Sequence, residues 1–191
     1  MRVIRRALAG TAALLIGAGA LVLGDQARLA VKARVARHLI DDAYEAYRNG
    51  SEPRPPWPWA DHRPIGRLRV PRLSVQRTIL SGATGSSLAF GPGHVSGTAA
   101  FNARGNCAIA GHRDSWFAFL QDLRVGDRVL LETPKGRVQY EVAGTFVVAP
   151  DDARSLAATP GRRLTLITCY PFGGLGRQRD RYVVICVPVV A

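Results

Sequence analysis

Cysteine is scarce in this chain. Three residues, Cys107, Cys169 and Cys186, in 191 are too few and odd in number, so they make no disulfide framework, and outside the cytosol at least one thiol stays free. Cys107 and Cys186 lie within apolar runs and read as small buried hydrophobes. Cys169 does not. No group of His, Cys, Asp and Glu shows the spacings of a metal site, so no metal or other cofactor is expected. There is no internal repeat. Acidic residues are outnumbered, 14 Asp and Glu against 26 Lys and Arg, for a net charge of +12 carried almost entirely by arginine. Such a surplus suits nucleic acid, an anionic membrane surface or an acidic envelope polymer, and is equally what a GC-rich genome produces. The basic residues are scattered and no nucleic-acid-binding motif accompanies them, so nucleic acid is not expected as a partner. A hydrophobic content of 47% excludes disorder and supplies a core. The length suits one domain plus an extra segment.

The extra segment is N-terminal. Arg2, Arg5 and Arg6 precede an uncharged run of 18 residues, Ala7 to Gly24, ended by Asp25. That length is near the lower limit for a spanning helix. Residues 1–25 therefore read as a signal anchor and transmembrane helix; the alternative is a cleaved signal with Val22-Leu23-Gly24 at the cleavage site. The basic cluster predicts a cytoplasmic N-terminus with the rest outside, although Arg28, Lys32, Arg34 and Arg37 blur the signal. Residues 26–50 read as an amphipathic stalk helix, with Leu29, Ala33, Ala36, Ile40, Ala43 and Tyr47 on one face and Asn49-Gly50 as its end. Residues 51–64, with Pro53, Pro55, Pro56, Pro58 and Pro64, read as a stiff linker. Its Trp57 and Trp59 are expected to dock on the following domain or to sit at a membrane interface.

From residue 65 to 191 the pattern is all-β. Strands are expected over Gly66 to Val70, Val75 to Leu80, Asn106 to Ala110, Arg128 to Glu132, Arg137 to Val148, Leu164 to Thr168 and Tyr182 to Val187. Turn residues at Gly82, Pro92-Gly93, Val125-Gly126-Asp127, Pro134-Lys135-Gly136 and Pro160-Gly161 separate them. Ser115 to Leu123 reads as a short helix capped by Asp114 or Ser115, with Trp116, Phe119 and Leu120 inward. Asp152 to Ala158 reads as another helical turn. Many short strands with one or two short helices imply a β-barrel.

One stretch carries the chemistry. The strand Leu164 to Ile167 must stop near Cys169, shortly before Pro171 and a glycine-rich loop (Gly173, Gly174, Gly176), and a thiol at a strand mouth is placed to react. Twelve positions on, Arg181 opens the run Tyr182 to Val187 and returns beside Cys169 if the two strands are neighbours. His112, in Ala110-Gly111-His112-Arg113-Asp114, is the third partner. Cysteine with a distant histidine and arginine is a plausible nucleophilic set. His94 is a turn-flanked rival of His112, and Arg177 and Arg179 are rivals of Arg181. Asp114 suits a helix cap better than an imidazole orienter, and no standard triad is read.

Thr165-Leu166-Ile167-Thr168-Cys169 resembles the sortase signature Thr-Leu-x-Thr-Cys. Arg181-Tyr182-Val183-Val184 resembles that family's arginine strand, and Ala110-Gly111-His112-Arg113-Asp114 its histidine segment, in the same order. The resemblance runs from about Ile65 to Val190. Pro56-Trp57-Pro58-Trp59-Ala60-Asp61 is similar to a stretch of the Gram-negative class, and Tyr170-Pro171-Phe172 resembles the Gram-negative and class D patterns. The resemblance implies a closed eight-stranded β-barrel and cysteine transpeptidation. Cys169 would attack a carbonyl within a C-terminal Leu-Pro-x-Thr-Gly-like sorting signal of a target protein, giving a thioester that an amine acceptor, unidentified, resolves. His112 would move protons, Arg181 would face the oxyanion or hold the substrate, and Thr168 and His94 would contact substrate. The expected location is the inner (cytoplasmic) membrane, single-pass, with the catalytic domain facing the periplasm. The alternatives are a cysteine peptidase that uses water and a non-catalytic envelope adaptor that binds a peptide tail. An L,D-transpeptidase is set aside, since its histidine would lie close before the cysteine, where this chain has Leu166-Ile167-Thr168.

Overall fold

The computed structural model describes residues 2–173 and 179–189 and, within the first helix, the side chains of residue 19 and of residues 23 onward. The chain divides into two compact units, Met1–His38 and Leu39–Ala191. Helix α1 runs without a break over Arg2–Arg48, so the expected anchor and stalk are one helix by backbone. Most of the expected membrane segment, 7–24, lies outside the described side chains. Among the described residues no helix is long and apolar enough to cross a membrane.

In the second unit, the last turns of α1 carry the expected apolar face. Ile40 is buried and Ala43 and Tyr47 are half-buried, and Tyr44, outside the expected face, is buried with them, because this part of the helix packs on the strands that follow. Arg67, only 6% exposed, donates to Glu45 at 2.6 Å and lies over the Tyr44 ring, 4.3 Å from its centroid. Thr78 donates to Asp41 at 2.6 Å. A buried guanidinium is tolerated only with such anionic and aromatic partners. The Pro-rich stretch then leads back to the same unit. Trp57 packs edge-on against His62 and Phe90, with ring centroids 5.3 and 5.0 Å away, whereas Trp59 is 83% exposed.

Eight strands follow: β1 (Pro64–Val70), β2 (Val75–Leu80), β3 (Gly93–His94), β4 (Asn106–Ala110), β5 (Arg128–Thr133), β6 (Gly136–Val148), β7 (Arg163–Tyr170) and β8 (Asp180–Pro188). They close a barrel in the order β1-β2-β3-β4-β7-β8-β6-β5. Pairing is antiparallel except between β2 and β3 and between β4 and β7. The alternation of the sequence explains the wall: Leu164 and Leu166 of β7 and Val184 and Cys186 of β8 join Leu68, Ile109 and Leu131 in the core.

The structure adds three elements to the sequence reading, the 3-10 helix Pro71–Leu73 among them, and changes a fourth. Strand β3 has two residues and α2 (Gly85–Phe90) has six, too few to show a period. A Cβ on Gly93 would sit 1.9 Å from the Gly82 carbonyl oxygen, so this crossing needs glycine. The expected helix over Ser115 to Leu123 is instead a turn followed by a 3-10 helix, Ala118–Asp122. Phe117 N–H bonds back to the His112 carbonyl at 2.9 Å, five residues away, which closes a wider turn than the four-residue step of an α-helix. Asp114 caps nothing; its carboxylate takes two bonds from Arg113. The second expected turn is present as a 3-10 helix over Ala153–Leu156, capped by Asp152.

Asp127, buried in the turn before β5, accepts from Arg72 Nε at 2.5 Å and Nη2 at 2.7 Å and from Arg124 N–H at 2.8 Å. Arg72 foremost holds the Asp127 carboxyl below the ordinary carboxylate range, against the cost of burial. A depressed carboxylate stabilises the fold above its unfolded pKa and loses that contribution as pH falls through its folded value. Asp127→Asn should therefore cost about 2 kcal/mol at neutral pH, and the difference from wild type should shrink in acid. Chemical denaturation at pH 7 and below pH 4 measures both.

Candidate active site

The parallel pairing of β4 with β7 sets the site. Its last ladder pair is Ala110 with Ile167, and Gly111 extends it, its N–H donating to the Ile167 carbonyl at 3.1 Å. Thr168 Oγ1 donates to the Gly111 carbonyl at 2.7 Å. His112 is two residues beyond Ala110, as Cys169 is two beyond Ile167, so the two lie side by side at neighbouring strand ends. On the other side, Cys169 pairs directly with Arg181 in the β7–β8 ladder. Adjacent strands lie about 4.8 Å apart. Cysteine and arginine thus share one row, and the histidine follows the end of the adjoining strand.

The strand does not stop at the cysteine; β7 continues through Tyr170. Parity along β7 gives the two residues of the motif different tasks. Thr168 shares the inner side with Leu164 and Leu166, is 3% exposed, and its hydroxyl is committed to Gly111. That hydroxyl was expected to contact substrate, and here it ties the cysteine strand to the histidine segment. Cys169 shares the opposite side with Thr165 and Ile167 and is partly exposed. The strand end is braced by an aromatic trio: Tyr170 stacks on Tyr182 at 6.2 Å, and Phe172 packs edge-on against Tyr182 at 5.1 Å.

His112 is exposed, and its backbone is fixed by Phe117, whose N–H bonds to the His112 carbonyl. The Phe117 ring leaves no room for a side chain at Gly111, where a Cβ would approach Cγ to 2.8 Å. Among the described residues no carboxylate hydrogen-bonds to the His112 ring. Arg181 donates through Nη1 to the Asp180 carbonyl at 3.1 Å. Of its rivals, Arg179 is exposed ahead of β8, and Arg177 lies outside the described residues.

His94 is not part of this row. It pairs with Ile109, which pairs with Leu166, two strands away and three positions, about 10 Å, along β7 from Cys169. Its Nε2 is shared between the Ala99 carbonyl at 2.9 Å and Thr98 Oγ1 at 3.2 Å. It lines a separate cavity of about 220 Å³ with Tyr47, Ile65, Phe101, Thr133 and Lys135. The sequence reading missed Gly111, Phe117 and Arg113, whose placing of His112 depends on contacts distant in sequence. Among the described residues no group of His, Cys, Asp and Glu is arranged to hold a metal ion.

The other two thiols sit in the core: burial pushes both Cys107 and Cys186 up to about 12. A thiol kept protonated and covered does not react at neutral pH. In the folded protein, iodoacetamide at pH 7.5 should modify Cys169 and leave Cys107 and Cys186 intact, and all three should react in denaturant. Peptide mapping by mass spectrometry reads the outcome.

The sortase domain family profile matches residues 68–189. Among curated proteins, the chain is 30% identical over 120 residues to Sortase D of Bacillus subtilis (strain 168), covering 62% of this chain and 61% of that protein. It is 30% identical over 124 residues to Sortase A of Bacillus anthracis, covering 63% and 57% respectively. The chain thus spans about six tenths of the length of these relatives. Among solved structures, a Clostridium perfringens Sortase D5 transpeptidase superposes with a TM-score of 0.66 at 25% identity, covering 80% of this chain and 99% of that one. These relatives are Gram-positive sortases, so the Gram-negative subclass read from the tryptophan segment finds no support among them. With the matched segment taking in the histidine, cysteine and arginine strands alike, this chain belongs to the sortase family.

Proposed function

We propose that the chain is a cysteine transpeptidase that joins a target protein, through a C-terminal Leu-Pro-x-Thr-Gly-like sorting signal, to an amine acceptor. The observation that carries this reading is the ladder pair of Cys169 with Arg181, with His112 at the adjoining strand end. The Cys169 sulfur attacks the carbonyl carbon of the scissile peptide bond, and the oxyanion forms where the Arg181 guanidinium supplies fixed positive charge. His112 gives a proton to the departing amine, leaving a thioester on Cys169. The incoming amine loses a proton to His112, attacks the thioester carbonyl and forms a new amide, releasing the thiol. On the Cys169 side of the sheet the next row is Ala110, Ile167, Val183 and Phe146. That row is apolar and suits the Leu-Pro part of such a signal.

The same reading makes residues 1–25 a single-pass anchor in the cytoplasmic membrane, 26–50 a stalk, 51–64 a linker and 65–191 the catalytic barrel on the far side. Arg2, Arg5 and Arg6 ahead of the uncharged run support that orientation.

Two experiments test these readings. With a Leu-Pro-x-Thr-Gly peptide and an added amine, the wild type should yield the amide-exchanged product. Cys169→Ala should lose all detectable turnover, and Cys107→Ala should keep it. Retained cleavage in Cys169→Ala removes the nucleophile, and release of only the hydrolysed acid makes the protein a peptidase. For the anchor, fractionation of cells should place the protein in the membrane with an N-terminus that still includes residues 7–24 by mass spectrometry; a soluble chain beginning after residue 24 overturns it.

A further inference from the structure

We propose that Arg113 is a positioning residue of this reaction: its guanidinium locks the His112 segment to the end of β7 and keeps a buried positive charge beside the Cys169 sulfur. The inference rests on Cys169 being the nucleophile. Arg113 follows His112 directly, yet it is only 5% exposed. Its Nε donates to Asp114 Oδ1 at 2.7 Å and its Nη2 to Oδ2 at 3.0 Å, a two-point fork that fixes the plane of the group. Its Nη1 donates to the Pro171 carbonyl, two residues past the cysteine. One side chain therefore grips the two segments whose separation sets the distance between imidazole and thiol.

The charge matters as well as the grip. Asp114 foremost holds the Arg113 guanidinium above its ordinary range, and the Cys169 sulfur acts in the same direction. A fixed cation near a thiol favours the anion that attack requires. Asp114, whose side chain is 65% exposed, neutralises part of that charge. Among the described residues, the other ionisable groups that register and contacts place around the thiol are His112, Tyr170 of its own strand, and Asp180, Arg181 and Tyr182 of β8. None of these bridges the two segments as Arg113 does.

A neighbouring cation and its counterion make predictions of opposite sign. In the full chain in detergent, the rate of iodoacetamide alkylation at Cys169 is followed against pH, with kcat and KM for the sorting peptide measured alongside. Arg113→Gln should move the midpoint of the alkylation curve to higher pH and slow alkylation at pH 7 about three- to tenfold. Its kcat should fall with little change in KM. Asp114→Asn should move the midpoint the other way, and Arg113→Lys should stay nearer the wild-type midpoint than Arg113→Gln. Midpoints that stay in place, or that shift in the same direction in Arg113→Gln and Asp114→Asn, overturn the proposal. Cys107 and Cys186 report on folding throughout, since they stay unlabelled while the barrel is intact; if Arg113→Gln labels them, Asp114→Asn and Arg113→Lys decide. Cleavage retained by Cys169→Ala would instead sink the underlying functional reading, whatever the Arg113 variants do.

Discussion

The parallel contact between β4 and β7 is the constraint on which the site depends. Sequence separates His112 from Cys169 by 57 positions, and only this ladder makes them neighbours. Its register is held at the open end by Gly111 N–H on the Ile167 carbonyl and by Thr168 on the Gly111 carbonyl. Both bonds are buried or nearly so, where an unmade hydrogen bond is costly. A slip of one residue would also turn the cysteine inward and the threonine outward. The chemistry and the packing therefore demand the same register.

Antiparallel β8 completes the row with no added element. Arg181 sits opposite Cys169 because Leu166 sits opposite Val184 and Leu164 opposite Cys186, pairs that the core fixes. The reactive positions are the last steps of ladders whose earlier steps are apolar and buried. Functional groups placed on strand ends keep their geometry better than groups carried by loops alone. His112 is the exception, standing just beyond its strand, and it is the residue around which extra bonds gather: Phe117 behind it, Arg113 beside it.

Much of the barrel was legible in the alternation of apolar residues. β2 and β4 have the bounds read from sequence, and β5 to β8 extend those readings by one to three residues. β3 and α2 escaped because two residues and six residues carry no period. The segment after His112 misled for a different reason. Trp116, Phe119 and Leu120 have helical spacing, but a single long-range demand, seating Phe117 under Gly111, sets the path there. At the candidate site, the adjacency of Cys169 and Arg181 was readable because each abuts a strong strand signal. Thr168 was read as a substrate contact, and its hydroxyl faces Gly111. Arg113 was passed over because Asp114 looked like a local cap, and the Pro171 carbonyl that completes its environment is 58 residues away.

The contact of Arg67 with Glu45 and Tyr44 changes what the proline-rich stretch can be. A spacer that lets an enzyme search for distant partners must join bodies that move apart, yet this stretch leaves and rejoins the same packed body. Its stiffness serves to route the chain around the barrel. The last turns of α1, the proline-rich stretch and the barrel all fall within the unit Leu39–Ala191, so residues 51–64 act as a strap inside one body.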